Sequence, residues 1–369
     1  MTDSAACHNT KRITYSLKRR GYDLGTVHSG DEGEGSISSD DELSNWQQGK
    51  PFLLKKICLP QLAEYSEHIN QAYSLYQAIL NDEECDPIFA ESPYRDRLDH
   101  GFESLGSSVN EGDDQEIETV LFDAIEKGET LAEDLWMKIS WLSFHEEDAS
   151  LRFRFSFGVD NIEDVAADKQ RQHYAALLTD AVFPESRLIT DNTDLSHHIQ
   201  KAMVSDTVKF VERIVYFNSP GGGAYLHHDR ERGHAGVVYA QLSGITYWLA
   251  LPKQLLMQEI ALFVKQCHQT NAWPKTLDST MQDELKQLAK NQQDLSSELE
   301  SFSNNTLIHL INETKQFVQQ LITNGHGRLV QSGDALLLPQ ETDLSCCWHS
   351  VFSLGEESGE ALSFAVRGG

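Results

Sequence analysis

The sequence predicts an α+β protein in which two groups of short strands are separated by helices. Residues 211–251 and 329–367 contain short apolar runs divided by glycine-rich turns, a pattern typical of antiparallel strands. Between the two groups, apolar residues recur at helical spacing in three stretches, residues 255–269, 281–302 and 307–322. We therefore predict a strand-rich domain over residues 211–369, interrupted by a helical insertion at about residues 253–326.

The first 48 residues differ in composition from the rest of the chain. They are polar and rich in Ser, Asp, Glu and Gly, so they offer little apolar surface for a packed core. We expect residues 1–48 to form a disordered acidic tail that can be removed without loss of catalysis.

Residues 49–210 are predicted to form a mainly helical region that packs on the strand-rich domain. Strict alternation predicts a strand at residues 151–157, whose arginines, Arg152 and Arg154, lie opposite its phenylalanines and are expected to be solvated. Residues 81–115 are predicted to be a loop-rich acidic stretch. The other elements expected here are a strand at 51–54 and helices at 62–80, 117–142 (broken near Gly128), 164–182 and 195–204.

Composition limits the classes of partner. The formal net charge of −27 repels nucleic-acid phosphates, so nucleic acid is an unlikely partner. The excess of acidic residues has two possible roles. It either keeps the protein soluble or attracts a basic peptide or protein. The sequence has no apolar run long enough to cross a membrane and no signal-peptide pattern, so a cytoplasmic location is expected, and the oligomeric state stays open.

Two distant histidine motifs suggest a metal site. In a strand, alternate side chains share a face, so His227 and Asp229 project together while His228 projects the other way. With a second imidazole from a remote strand, His349, they would form a 2-His-1-carboxylate triad, which suits non-haem Fe(II) and leaves coordination positions open. His228 and His234 are rival ligands if a bulge disturbs the strand.

The flanking motifs sharpen this hypothesis. A strand ending at Asn218, a Gly-rich turn at 219–225, the segment 241–252, the run 333–339 and the motif around His349 occur in this order. Over residues 211–252 and 331–367, the sequence resembles the JmjC/cupin-like Fe(II)/2-oxoglutarate-dependent oxygenases. The resemblance implies a double-stranded β-helix (jelly-roll or cupin) core. It also implies Fe(II) bound by His227, Asp229 and His349, with 2-oxoglutarate and O2 as co-substrates of a dioxygenase.

One position departs from the family pattern. Relatives often carry a Lys or Arg for the far carboxylate of 2-oxoglutarate at the place that Thr246 occupies here. Other branches use an arginine on the strand after the distal histidine. Residues 361–367 alternate, with the small side chains Ala361, Ser363 and Ala365 on one face and Arg367 at its end. We therefore expect Arg367 to anchor this carboxylate, helped by Thr246 or Ser363.

Three functions fit these observations. The first is a 2-oxoglutarate-dependent hydroxylase acting on a peptide, a protein side chain or an amino-acid-like small molecule. The second is a cupin-type metalloenzyme that does not use 2-oxoglutarate. The third is a non-catalytic cupin binding module.

Overall fold

In the described part of the chain, the fold consists of three antiparallel sheets, the smallest of them a two-stranded hairpin, and a set of covering helices. The computed structural model describes residues 12–30, 42–110, 112–159, 167–230, 234–343 and 346–368. The strands are β1 (Thr14–Arg19), β2 (Tyr22–His28), β3 (Phe52–Leu54), β4 (Phe102–Ser108), β5 (Glu116–Glu126), β6 (Glu129–Trp141), β7 (Leu151–Phe157), β8 (Val208–Asn218), β9 (Gly236–Gln241), β10 (Ile245–Pro252), β11 (Gly327–Gln331), β12 (Ala335–Pro339), β13 (Cys347–Leu354) and β14 (Gly359–Gly368).

Helices lie before the barrel and within it. Those before it are α1 (Glu42–Gln47), α2 (Leu59–Leu62), α3 (Ser66–Leu80), α4 (Cys85–Phe89), α5 (Tyr94–Leu98), α6 (Lys169–Val182), α7 (Arg187–Thr190) and α8 (Thr193–Met203). Those of the insertion are α9 (Lys253–Thr270), α10 (Ser279–Leu288), α11 (Gln292–Ser301), α12 (Asn305–Glu313) and α13 (Lys315–Thr323). None of the helices in the described part of the chain is long and apolar enough to cross a membrane.

The order of the strands is that of a double-stranded β-helix. The large sheet runs β3-β12-β9-β14-β8-β7-β6-β5-β4, and the small sheet runs β11-β10-β13. The segment around His227 pairs antiparallel with β13 and so extends the small sheet. From β8 onward the chain crosses repeatedly between the two sheets, as in a jelly roll. The predicted fold class, an α+β protein with this core and a helical insertion, is confirmed.

Apolar side chains fill the space between the two sheets. Tyr239 and Leu336 from the large sheet meet Trp248 and Val351 from the small sheet in one buried cluster. This packing fixes the distance between the sheets, and a cavity opens at the end of the barrel that carries the metal motif.

The prediction of a helix at residues 117–142 is wrong. These residues form β5 and β6, a hairpin that turns at Gly128, whose φ is +82°. In β5 every second residue is buried, including Val120 and Phe122, because one face packs on the helices and the other is half-exposed. Strand pairing and burial of one face outweigh the helix propensity of the many Glu, Leu and Ala residues in this stretch.

The stretch at residues 81–115 contains more regular structure than predicted, since α4, α5 and β4 lie within it. Strands β4–β7 continue the large sheet outward from the barrel strand β8. Region 49–210 therefore combines the predicted helices with a sheet extension that reaches the mouth of the barrel.

The prediction that residues 1–48 form a disordered tail is wrong for the residues of this segment that the structure describes. Strands β1 and β2 form a hairpin whose Leu17, Leu24 and Val27 are buried in a cluster with the insertion helices. Helix α1 buries Trp46 in the main core. The average composition of the segment hides the two short strands, whose contacts include residues far along the chain, as in the hydrogen bond from Arg19 to Ala224 across 205 positions.

Candidate metal centre

A tight turn brings the metal motif beside β13. Gly223 has a φ of +130°, and a Cβ at this position would collide with the carbonyl oxygen of Val351. This close approach lets Ala224 and Val351 exchange hydrogen bonds of 3.1 and 3.0 Å. His227 and His349 exchange backbone hydrogen bonds of 2.9 and 2.7 Å in the same way, so the two imidazoles lie side by side, with ring centroids 4.3 Å apart.

The structure brings the three predicted ligands together. The Nε2 atoms of His227 and His349 each lie 3.3 Å from one oxygen of Asp229. One ligand atom from each residue falls within a group in which all separations are below 4.8 Å. Ligand atoms about 2.1 Å from one shared ion would be about 3.0 to 3.4 Å apart, so the spacing fits a single metal ion. Within the described residues, this is the cluster that could hold one.

The hydrogen bonds of the imidazoles orient them for binding. Nδ1 of His227 donates to the carbonyl oxygen of Tyr225 at 2.6 Å, which directs the other ring nitrogen toward Asp229. Burial lowers the pKa of His349 to about 4, against the attraction of Asp229, so this ring is neutral at pH 7. Burial opposes ionisation of Asp229, but the imidazoles of His349 and His227 outweigh it and hold its pKa well below the ordinary value.

The two rival histidines are not part of this cluster. His228 faces the insertion, where it lies 3.0 Å from Glu300, and Glu300 in turn lies 2.6 Å from the buried amine of Lys253. His234 lines the cavity beside the cluster but does not belong to it. The strand alternation assumed for residues 227–229 therefore holds.

Arg19 of the N-terminal hairpin holds the backbone of the metal motif in place through hydrogen bonds, a role that the sequence did not reveal. Its buried guanidinium donates to the carbonyl oxygen of Ala224 at 2.7 Å, to Oγ of Ser350 at 2.9 Å and to the carbonyl oxygen of Asn312 at 2.7 Å. The Asn312 side chain accepts a 2.7 Å hydrogen bond from the backbone N–H of Leu226. The hairpin, the insertion and both halves of the site are thereby tied together.

A cavity of about 340 Å³ opens beside the three ligands. Ser363 and Ala365 of β14 lie in its wall, as the alternation of residues 361–367 predicted, and Leu362 and Phe364 are buried on the opposite face. Other lining residues come from β7, β8, β9, β10 and β13, and include Arg152, Arg154, Glu212, Tyr216, Asn218, Tyr239, Trp248 and Val351.

Two of the three predicted co-substrate residues lie outside the cavity wall. Thr246 is 1% exposed, and its hydroxyl donates to Gln241 at 2.8 Å and accepts from Trp248 at 3.0 Å, so it is occupied by the protein itself. Arg367 sits near the end of β14 beside Lys209 of β8, beyond the lining residues. The expectation that Arg367 and Thr246 hold a carboxylate inside the barrel is therefore not supported by their positions.

The expectation that Arg152 and Arg154 are solvated is also wrong, because both line the cavity. Strand β7 pairs with β8, opposite Tyr216 and Ile214, and this pairing turns its polar face toward the metal site. Arginine alternating with phenylalanine in one strand was the available signal. It shows that one face is buried, but the location of the other face depends on which strand lies alongside.

Known proteins resemble this chain only distantly. No family profile matches the sequence, and no curated protein matches it. Among solved structures, an oxidoreductase of the 2OG-Fe(II) oxygenase family from Burkholderia pseudomallei aligns at 6% identity with a TM-score of 0.34, over 90% of this chain and 91% of that one.

The ribosomal oxygenase YcfD from Escherichia coli aligns at 13% identity with a TM-score of 0.27, over 92% of this chain. This chain spans 53% of the length of YcfD. At these scores the fold assignment rests on the strand order described above. By that order, the chain is a double-stranded β-helix with a candidate His-Asp-His metal site at the mouth of its barrel.

Proposed function

We propose that this protein is an Fe(II)- and 2-oxoglutarate-dependent oxygenase that hydroxylates a small molecule or a side chain. The observation that carries the proposal is the His227, Asp229 and His349 cluster, which opens on a cavity inside a double-stranded β-helix. Two imidazoles and one carboxylate on one side of an ion leave the opposite positions for other ligands, which is the donor set of non-haem Fe(II) oxygenases.

The residues of the chain fit the proposed metal. His227 and His349 would bind through Nε2, since their Nδ1 atoms face the backbone carbonyl oxygens of Tyr225 and Cys347. Ionised Asp229 would supply one negative charge. When bound, Fe(II) would supply the activation of O2 coupled to oxidative decarboxylation of 2-oxoglutarate.

The size and lining of the cavity limit the substrates that could bind beside the metal ligands. Small side chains at Ser363 and Ala365 leave room next to the ligands, and Trp248 stacks on His349 at 5.3 Å between ring centroids, which shields one side of the site from water. A volume of about 340 Å³ suits 2-oxoglutarate together with one amino-acid-sized group. A peptide, a protein side chain or an amino-acid-like molecule is the substrate class that we propose, in a cytoplasmic enzyme.

A metalloenzyme that does not use 2-oxoglutarate is the competing function. The observation that favours it is Thr246, which stands where relatives carry a cation and whose hydroxyl is already bonded to Gln241. This alternative keeps the metal ligands and assigns the cavity to substrate alone.

An anaerobic titration separates these functions. Addition of Fe(II) and then 2-oxoglutarate should produce the visible charge-transfer absorption of the chelate, and admission of air should release succinate. Metal binding without that absorption would favour the competing metalloenzyme. A protein that binds no metal would be a binding module, and both enzymatic functions would be refuted. Asp229→Ala is the matched control and should abolish the absorption.

A further inference from the structure

We propose that Arg152 of β7 and Tyr216 of β8 form a carboxylate-binding subsite in the cavity wall. The proposal rests on the proposed function only for the identity of the ligand. The subsite itself follows from the arrangement of charges, and its chemistry is that of a carboxylate held by a guanidinium and a phenol.

The two side chains are neighbours in the large sheet. Arg152 is paired across β7 and β8 with Tyr216, and on its other side with Ser140 of β6. Residues paired in this way project to the same face of a sheet. Both Arg152 and Tyr216 line the cavity that also contains Asp229 and His349.

Arg152 differs from the other cations of this wall because it lacks an anionic partner. Arg154 lies 2.7 Å from Glu212, and Arg20 lies 3.2 Å from Asp148. In the part of the chain that the structure describes, Arg152 makes no ion pair or hydrogen bond, and its Nε is buried without a partner. The hydroxyl of its neighbour Ser140 is buried without a hydrogen-bond partner as well.

An unpaired guanidinium with a buried nitrogen is costly unless a ligand supplies the missing charge. Its planar fork can bond both oxygens of a carboxylate at once. Burial raises the pKa of Tyr216, which keeps its phenol protonated and able to donate a further hydrogen bond. The wall therefore presents a guanidinium and a phenol as neighbouring donors that suit one carboxylate.

Two ligands could carry this carboxylate. One is the far carboxylate of 2-oxoglutarate, whose other end would lie at the metal ligands in the same cavity. The other is a carboxylate of the oxidised substrate. Since neither Thr246 nor Arg367 lines the cavity, Arg152 is the residue that replaces the expected anchor.

The experiment measures binding by calorimetry with the full chain loaded with Mn(II). In the first arm, 2-oxoglutarate is titrated into the wild type, Arg152→Met, Arg152→Lys and Tyr216→Phe, and 2-oxobutyrate, which lacks the far carboxylate, serves as the reference ligand. In the second arm, glutarate is titrated into protein already saturated with 2-oxoglutarate. In the third arm, glutarate is titrated into protein without metal. Arg171→Met is the matched control, because Arg171 of helix α6 pairs with Asp168, the residue that caps this helix, and neither residue lines the cavity.

If 2-oxoglutarate occupies the subsite, Arg152→Met should weaken its binding roughly 10- to 100-fold, since bonds to charged groups are strong, and leave 2-oxobutyrate unchanged. Tyr216→Phe removes a single hydroxyl and should weaken binding by less, about 2- to 10-fold, which tests the subsite even if Arg152→Met folds poorly. If the substrate occupies it, Arg152→Met should leave 2-oxoglutarate binding unchanged and weaken the binding of glutarate to protein saturated with 2-oxoglutarate.

Failure of the oxygenase hypothesis is distinguishable from failure of the subsite. A protein that binds neither Mn(II) nor 2-oxoglutarate but still binds glutarate in an Arg152-dependent manner would refute the proposed function and support the subsite. Carboxylate binding that is equal in the wild type and in Arg152→Met, in all three arms, would overturn the subsite.

Discussion

Replacement of Arg19 by methionine should loosen the metal centre although Arg19 contacts none of the three ligands. Methionine keeps an apolar stem of similar length and removes the donors. Arg19 is 1% exposed, and its guanidinium lies 4.7 Å from the ring centroid of Tyr225 and 4.6 Å from that of Phe352, in addition to its hydrogen bonds to Ala224, Ser350 and Asn312. The backbone segment that carries His227 would lose the cross-link that ties it to the N-terminal hairpin.

The magnitude follows from what the substitution leaves behind. Burial lowers the pKa of Arg19 to about 9, so the guanidinium is still protonated at pH 7 and each of its bonds is charge-assisted. Loss of the guanidinium leaves neutral buried acceptors without their donor, at a cost of about 1 to 3 kcal/mol of unfolding free energy for each such group. The groups that orient metal ligands typically contribute about 10- to 100-fold in metal affinity.

Chemical unfolding and Mn(II) titration of Arg19→Met measure the two effects separately. Lys18→Met is the control, since Lys18 is the exposed neighbour on the same strand. Deletion of residues 1–30, which removes the hairpin, should impair metal binding at least as strongly, contrary to the expectation from composition. Metal affinity and stability of Arg19→Met equal to those of the Lys18 control would refute the reasoning.

Three further predictions follow from the site and the core. Alanine in place of His227, Asp229 or His349 should abolish iron-dependent turnover while circular dichroism shows an intact fold. If one of these variants keeps its activity, that residue is not a metal ligand. Arg367→Ala should leave the apparent KM for 2-oxoglutarate unchanged, because Arg367 lies outside the cavity wall; a strong rise would restore it as the anchor. Burial raises the pKa of Glu185 from 4.5 to about 7 and that of its neighbour Glu360 well above its ordinary value, so the folded state holds protons that the unfolded state releases. Stability should therefore fall as the pH rises above about 4.5, with Glu185 alone contributing on the order of 3 kcal/mol by pH 7, and Glu185→Gln should flatten this profile in urea unfolding; an unchanged profile would contradict the assignment.

The barrel and the metal cluster could be predicted because their signals are local. Alternation along a strand is enough to place His227 and Asp229 on one face, and the resemblance carried by the flanking motifs implies His349 beside them. The cation of the cavity could not be predicted in this way. A strand pattern shows that Arg152 lies opposite Phe153, but only the pairing of β7 with β8 makes that side a cavity wall.

The predictions for the N-terminal hairpin and for the β5–β6 hairpin were wrong for related reasons. Composition averaged over residues 1–48 conceals the two short strands around Arg20 and Gly21, and the partners of Arg19 are distant in sequence. In β5 and β6, helix-forming residues are held in strands by the sheet that flanks them. In both cases tertiary contacts decide the local structure, and these contacts cannot be read from helix propensity or from amino-acid composition.

The cross-link made by Arg19 also has a consequence for the order in which the protein folds. Arg19 and Ser350 are separated by 331 positions, and the barrel strands on the two sides of the insertion must pair before this contact can form. Contacts between distant positions form slowly, because a long loop has to close first. We therefore expect the insertion and the outer sheet to gain structure early and the metal centre to be completed last. In a refolding experiment, Mn(II) binding should appear in the slowest phase, after most of the helical signal has returned.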